Sequence, residues 1–394
     1  MSHEQLRYLT DELNKLRDQK LALKLRILQG EQLPLANFDG REVINLSSNN
    51  YLGLTTHPRL RRRALEAIEK FGVGSGAVRT IAGTMSLHME LEEKIAKFKG
   101  VEASVVFQSG FTANAGTVQA ILTREDVIIS DELNHASIID GCRLSRAEIK
   151  VFPHKDLEAC EKILKELEGR KSRKLLVTDG VFSMDGDIAP LPGLVALAEK
   201  YGCIMMIDDA HASGVLGRNG RGTVDHFNLH GRVDIQVGTL SKAVGALGGY
   251  VCSTRDTIEY LYHRARPFLF STSHPPSVAA SCIAAFEVME EEPQRHEKLW
   301  ANTKSFKDGL KKLGFDTGVS ETPITPVIVG DAALAHEFSR QLFAAGVFAQ
   351  SLGFPTVPVG KARIRTIVTA THTDEELARA LGILESVGKN LRII

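Results

Sequence analysis

The 394-residue sequence predicts an α/β fold, a mainly parallel central sheet covered by helices on both faces. Three observations carry that expectation. Through the middle of the chain a short apolar run, a turn and an amphipathic stretch of helix length recur in that order. The runs are continuously apolar rather than alternating, as strands buried on both faces are. Two of them end abruptly in polar clusters, Asp208-Asp209-Ala210-His211 and Gly238-Thr239-Leu240-Ser241-Lys242, and ligands of parallel sheets bind at such strand ends.

In chain order, residues 5 to 28 place Leu6, Leu9, Leu13, Leu16, Leu23 and Leu25 among charges at roughly helical spacing. This predicts an amphipathic helix that packs on something else, within an N-terminal helical arm at 1–45. A large domain follows at 46–285, with strands expected at 104–107, 127–129, 150–152, 175–177, 204–207 and 235–237. After Pro275 and Pro276 a long helical stretch, about 277–313, leads into a smaller C-terminal α/β domain at 286–394. Its strands are expected at 326–329 and around Ile364, Ile367 and Val368. Thr373, with Glu376 three residues on, announces a last helix by the capping-box signature.

Composition narrows the function. Lys+Arg and Asp+Glu are both 48, so no whole-chain field draws in nucleic acid or an anionic membrane. No apolar run reaches the length of a membrane span, and the charged N-terminus lacks a signal-peptide core. Five widely spaced cysteines with no CxxC pair speak against a disulfide framework or a zinc site. The expectation is a cytoplasmic protein with no metal.

The chemistry-bearing residues sit at strand ends. A carboxylate closing a buried strand, as Asp208 does, is expensive unless a cation or proton donor faces it, whereas Asp209 reads as a turn cap. Lys242, just beyond another buried strand and among small residues, is expected to be desolvated, which makes its amine a usable nucleophile for an aldehyde. A Schiff-base lysine downstream of a strand-end acid is what a pyridoxal cofactor needs. The turn Gln108-Ser109-Gly110-Phe111 opens a helix whose free N–H groups suit a phosphate, and Thr239 could add a hydroxyl. His135 and Ser183 are each open to a structural or a site role. Arg363 and Arg365 alternate on a strand, so at most one reaches a common site and the other is expected to be solvated.

With these elements in order, the sequence resembles the α-oxoamine synthases, fold-type-I pyridoxal-phosphate (PLP) enzymes that join amino acids to acyl-CoA thioesters. The match spans nearly the whole chain. It rests on Asn49-Asn50-Tyr51-Leu52-Gly53-Leu54, Asn134-His135-Ala136-Ser137, the run from Thr178 to Gly186, Asp208-Asp209-Ala210-His211 and Gly238-Thr239-Leu240-Ser241-Lys242. The resemblance implies that Lys242 holds the cofactor and removes the α-proton, that Asp208 pairs with the pyridine nitrogen, and that His135 stacks on the ring. Ser183 and His211 would meet the ring's oxygen side, and Gly110, Phe111 and Thr239 its phosphate. Ser271 and Thr272 would reach the phosphate from the other subunit of a homodimer. Arg365 would bind the amino-acid carboxylate, with Asn50 near the substrate. Within the family, residues 78–84 and 129–141 look most like glycine C-acetyltransferase, which uses glycine and acetyl-CoA. The rival is 8-amino-7-oxononanoate synthase, which uses alanine and pimeloyl-CoA, or an enzyme that does both reactions; aminolevulinate synthase and serine palmitoyltransferase are less similar, and an aminotransferase is a further alternative outside acyl transfer.

Overall fold

The computed structural model describes residues 4–18, 22, 24–354 and 356–394. Two short strands come first, β1 (Leu35–Phe38) and β2 (Arg41–Asn45). Seven follow: β3 (Ala103–Phe107), β4 (Val127–Asp131), β5 (Glu148–Phe152), β6 (Lys174–Asp179), β7 (Ile204–Asp208), β8 (Ile235–Thr239) and β9 (Gly249–Ser253). The last four are β10 (Ile324–Gly330), β11 (Val347–Phe348), β12 (Gln350–Leu352) and β13 (Ala362–Ile367).

Strands β3 to β9 build one sheet in the order β3-β9-β8-β7-β6-β4-β5. β8, β7, β6, β4 and β5 run parallel, and β9 is antiparallel to both neighbours. Helices cover both faces: Val105, Val177 and Val237 pack in one apolar layer, Ile129, Leu176 and Ile207 in the other. All six runs expected from the sequence are strands here. β9 escaped that reading because it follows the glycine-rich turn Gly245-Ala246-Leu247-Gly248 with no helix between it and β8.

A second layer is formed by β10-β13-β12, all antiparallel, and by β1-β2-β11. Ile44 and Leu46 share its core with Phe306, Val327, Phe338 and Ile364, so residues 35–45 join the C-terminal layer rather than extend a helical arm. The helix at the N-terminus is shorter than expected, Arg7–Asp18, and buries none of its residues; Leu23 lies outside the described residues. Leu28 makes an isolated antiparallel bridge with Phe38, Gln29 N donating to Asn37 O and Asp39 N to Ile27 O. The stretch expected as one long helix is two, Pro276–Glu291 and Pro293–Lys312, because Pro293 has no N–H to continue the ladder and its ring clashes with the preceding turn. The capping box at Thr373 and Glu376 opens the helix Asp374–Asn390. No described helix is long and apolar enough to cross a membrane.

Beneath the central sheet, Lys99 and Asp209 form an ion pair with both side chains 0% exposed. Lys99 Nζ donates to Asp209 Oδ2 at 2.7 Å and to the Arg221 carbonyl at 2.6 Å, and Thr223 N also donates to Asp209. The Asp209 carboxylate raises the lysine's pKa even though burial alone would lower it. Removing one partner strands the other charge in a low-dielectric interior, so Lys99→Met is expected to cost about 3–5 kcal/mol. Urea unfolding followed by circular dichroism checks this; an unchanged midpoint would show that the pair does not stabilise the fold.

Candidate active site

The carboxyl edge of the central sheet gathers most of the residues singled out in the sequence. β6 and β7 are in register so that Asp179 lies beside Asp208, and Asp208 lies beside Val237 of β8. Asp208 is buried, and its Oδ2 accepts from Asn114 Nδ2 at 2.6 Å while Oδ1 accepts from Ala210 N. Asn114 comes from the helix Gly110–Ile121, which Ser109 caps by accepting from Thr112 N. That cap leaves the N–H groups of Gly110 and Phe111 outside the helix's own ladder. Thr239 lies against the same turn: a Cβ on Gly110 would stand 3.4 Å from the Thr239 Cβ. Gln108 Nε2 donates to the Thr272 carbonyl at 2.8 Å, bringing the Ser271-Thr272 segment to this turn as well.

Lys242 follows β8 with no hydrogen bond to its amine among the described residues. Burial, first, and the neighbouring Arg365 lower its pKa to about 8, although Asp208 and Asp179 oppose them. His135 caps the helix Ala136–Ser145, its Nδ1 accepting from Ser137 N, which puts the ring proton on Nε2. The residue is exposed to solvent. The protein around it still lowers its basicity by desolvation, and Lys242 adds to that against the pull of Asp208. His211 is buried, and its Nδ1 lies 2.8 Å from the Tyr51 hydroxyl. Burial, then the charges of Lys242 and Arg365, hold this imidazole far below its usual pKa, so it is neutral where it meets the Tyr51 hydroxyl. Asp179 is pushed well above the carboxylate range by burial and by Asp208 beside it; its Oδ2 accepts from His135 N at 2.6 Å.

The second layer brings the arginines. Arg365 Nε donates to the Ser183 carbonyl at 2.6 Å and its Nη2 reaches Asn49 Oδ1 at 3.4 Å. Arg363 is not solvated as expected: it is 4% exposed, ion-paired with Asp185 and bonded to the Met184 carbonyl. Strand alternation does send the two to different partners, but both faces of β13 meet protein. Asn50 and Asn49 have different partners. The Asn50 amide is engaged with Thr55, to which it donates at 2.7 Å, and Asn49 is the residue at Arg365. A cavity of about 300 Å³ adjoins Arg365, lined by Gln32, Asn45, Ser47, Phe348 and Gln350 among others. A larger cleft of about 690 Å³, around Arg255, Tyr262 and His263, holds none of the sequence-predicted residues.

Sequence reasoning passed over Asp179, Asn114 and Tyr51. Asp179 carries the same signal as Asp208, a carboxylate closing a buried strand; the other two have no local signature, since only the fold brings them near. The residues together fit a pyridoxal phosphate: an unbonded, desolvated amine, a held carboxylate, a capped helix with free N–H groups, and a buried Asn114 Oδ1 without a partner.

Comparison with known proteins agrees. The family model for class I and II aminotransferases matches residues 41–384. The 8-amino-7-oxononanoate synthase of Symbiobacterium thermophilum is 61% identical over 98% of this chain and 99% of its own. The 8-amino-7-oxononanoate synthase 1 of Bacillus subtilis is 55% identical over 99% and 100%. Among solved structures, a serine palmitoyltransferase from S. paucimobilis with a bound PLP-myriocin aldimine superposes with a TM-score of 0.94, at 34% identity over 99% of both chains. An 8-amino-7-oxononanoate synthase from Francisella tularensis gives 0.76, at 27% identity over 89% of this chain and 99% of that one. The chain therefore belongs to the class I and II aminotransferase family and has the fold-type-I architecture of PLP enzymes. Within that family it is a PLP-dependent α-oxoamine synthase, an acyltransferase.

The depressed basicity of Lys242 gives a direct check. Only the neutral amine attacks an aldehyde, so in apoprotein the trapping of a free aldehyde on Lys242 by borohydride should rise about tenfold per pH unit below the pKa and level off above about 8. A plateau only above pH 10, read by peptide mass spectrometry, would show an ordinary solvated lysine.

Proposed function

We propose that this α-oxoamine synthase joins L-alanine to pimeloyl-CoA, releasing CoA and CO2 to leave 8-amino-7-oxononanoate, the reaction its close relatives are named for. The donor is read from sequence rather than shape: the first-choice expectation of glycine and acetyl-CoA finds no support among relatives at 54–61% identity. Superposition is indifferent to the donor, since the serine palmitoyltransferase fits better than the more distant oxononanoate synthase.

The observation that carries amino-acid use is Arg365. It is a desolvated guanidinium whose partners are a carbonyl and an amide oxygen, with no carboxylate paired to it among the described residues. Such a group favours an incoming carboxylate, which it can bind in a paired, charge-assisted way. In this reading Lys242 anchors the cofactor and, once freed, moves the α-proton. Asp208, held by Asn114, keeps a proton on the pyridine nitrogen, and His135 lies against the ring. Gly110, Phe111 and Thr239 bind the phosphate and Ser183 and His211 the oxygen side; Ser271 and Thr272, whose main chain is held at the phosphate turn through the Thr272 carbonyl, offer their hydroxyls to a phosphate at the homodimer contact. Bound PLP supplies the electron sink for charge at the amino-acid α-carbon. A reducing, cytoplasmic setting belongs to this reading, supported by five free cysteines of which four are buried.

A CoA-release assay checks the donor. The expected result is a kcat/KM at least about tenfold higher for alanine with pimeloyl-CoA than for glycine with acetyl-CoA, about 1.4 kcal/mol of transition-state discrimination. The reverse ratio would restore the glycine acetyltransferase reading, and pyridoxamine phosphate without CoA release would indicate an aminotransferase. Lys242→Ala should remove turnover, and Asp208→Asn should keep cofactor but lose most activity.

A further inference from the structure

Polar contacts from three directions converge on residues 181–188. From β13, Arg365 bonds the Ser183 carbonyl, while Arg363 holds Met184 O and Asp185. From the segment before β10, Glu321 N and the Thr322 hydroxyl both donate to Gly186 O. From the end of β5, His154 reaches the same turn. Its Nδ1 lies 3.0 Å from Asp131 Oδ1 and its Nε2 lies 2.9 Å from Asp187 Oδ2, with both acids' side chains 1% exposed. Its ring also meets Phe182 edge-on, centroids 4.4 Å apart.

Two carboxylates, one on each ring nitrogen, can both be satisfied only by an imidazolium, which donates from both. Burial opposes that charge, but the hydrogen bonds to Asp131 and Asp187 outweigh it and lift the pKa to about 9. Asp131 is itself fixed at the end of β4, accepting from Leu133 N and Lys155 N. Asp187 closes the turn, its carbonyl accepting from Phe182 N, and also pairs with Lys155 Nζ. His154 makes no hydrogen bond to Lys242, Asp208 or Arg365.

We propose that His154 is a positioning residue for the amino-acid site: bridging Asp131 and Asp187, it ties residues 181–188 to the central sheet, and so fixes the Ser183 carbonyl that orients the Arg365 guanidinium. The inference rests on the reading of Arg365 given above. A misaimed carboxylate reader weakens substrate binding before it touches proton transfer at Lys242.

The test titrates holoenzyme with L-alanine, and separately glycine, without acyl donor, following the visible absorbance of the cofactor. His154→Gln is expected to raise Kd about tenfold while cofactor content, and kcat measured separately with saturating amino acid and acyl donor, stay within twofold. If that variant does not fold, Asp187→Asn, which keeps the shape and removes one ion-pair partner, is expected to move Kd in the same direction. A folded variant whose Kd stays within twofold overturns the proposal, and so does a rise in Kd accompanied by parallel falls in kcat and cofactor content, the signature of a merely structural role. Arg365→Lys separates the two layers of inference. If it weakens amino-acid binding while His154→Gln does not, only the role of His154 falls; if it leaves binding intact, the reading of Arg365 falls and His154 with it.

Discussion

Carboxylates at the ends of buried parallel strands set the terms for the rest of this structure. Asp131, Asp179 and Asp208 close β4, β6 and β7, where the interior disfavours an uncompensated charge. Each is handled differently. Asp131 is neutralised by His154 and two backbone N–H groups. Asp179 accepts from a backbone N–H and is driven toward its protonated form. Asp208 is held by two donors, Asn114 Nδ2 and Ala210 N, and pairs with no cation among the described residues. The chemistry therefore sits at the acid that the fold orients but does not neutralise.

The second layer is useful only if it meets that edge in one register, and the contact is made by a turn rather than by a sheet. Gly186 shows how close the approach is. Its φ of +75° suits glycine, and a Cβ there would collide with the Ile324 carbonyl oxygen. The turn is thus seated directly on β10, and β13 beside β10 carries both arginines to it. Because Arg365 is positioned through main-chain Ser183 O, the geometry of the turn matters more than the identity of its side chains.

Much of this was legible in the sequence because it depends on local order. Continuous apolar runs gave the central strands, the polar residues closing them marked Asp208 and Lys242, and Thr373 with Glu376 marked the last helix. What was not legible depends on distant partners. Nothing near Arg363 foretells Asp185, which lies across the contact between layers, so burial there could not be read from alternation alone. Asn50 and Asn49 are adjacent and chemically alike, and only the local turn to Thr55 decides which one faces Arg365. The N-terminal helix was legible from its leucine spacing, and Leu6, Leu9, Leu13 and Leu16 form an apolar face that is exposed on the single chain.

The two arginines of β13 show how one alternation yields two functions. Both lose water on entering the contact between layers. Arg363 recovers the loss with the Asp185 carboxylate and becomes structural. Arg365, on the other face, meets a carbonyl and an amide oxygen, and burial leaves its pKa below the usual arginine value. A carboxylate placed beside Arg365 would have bound it as tightly as Asp185 binds Arg363 and closed it to any ligand. Neutral acceptors aim the guanidinium without cancelling it, which is the condition for reading an anion that must also leave.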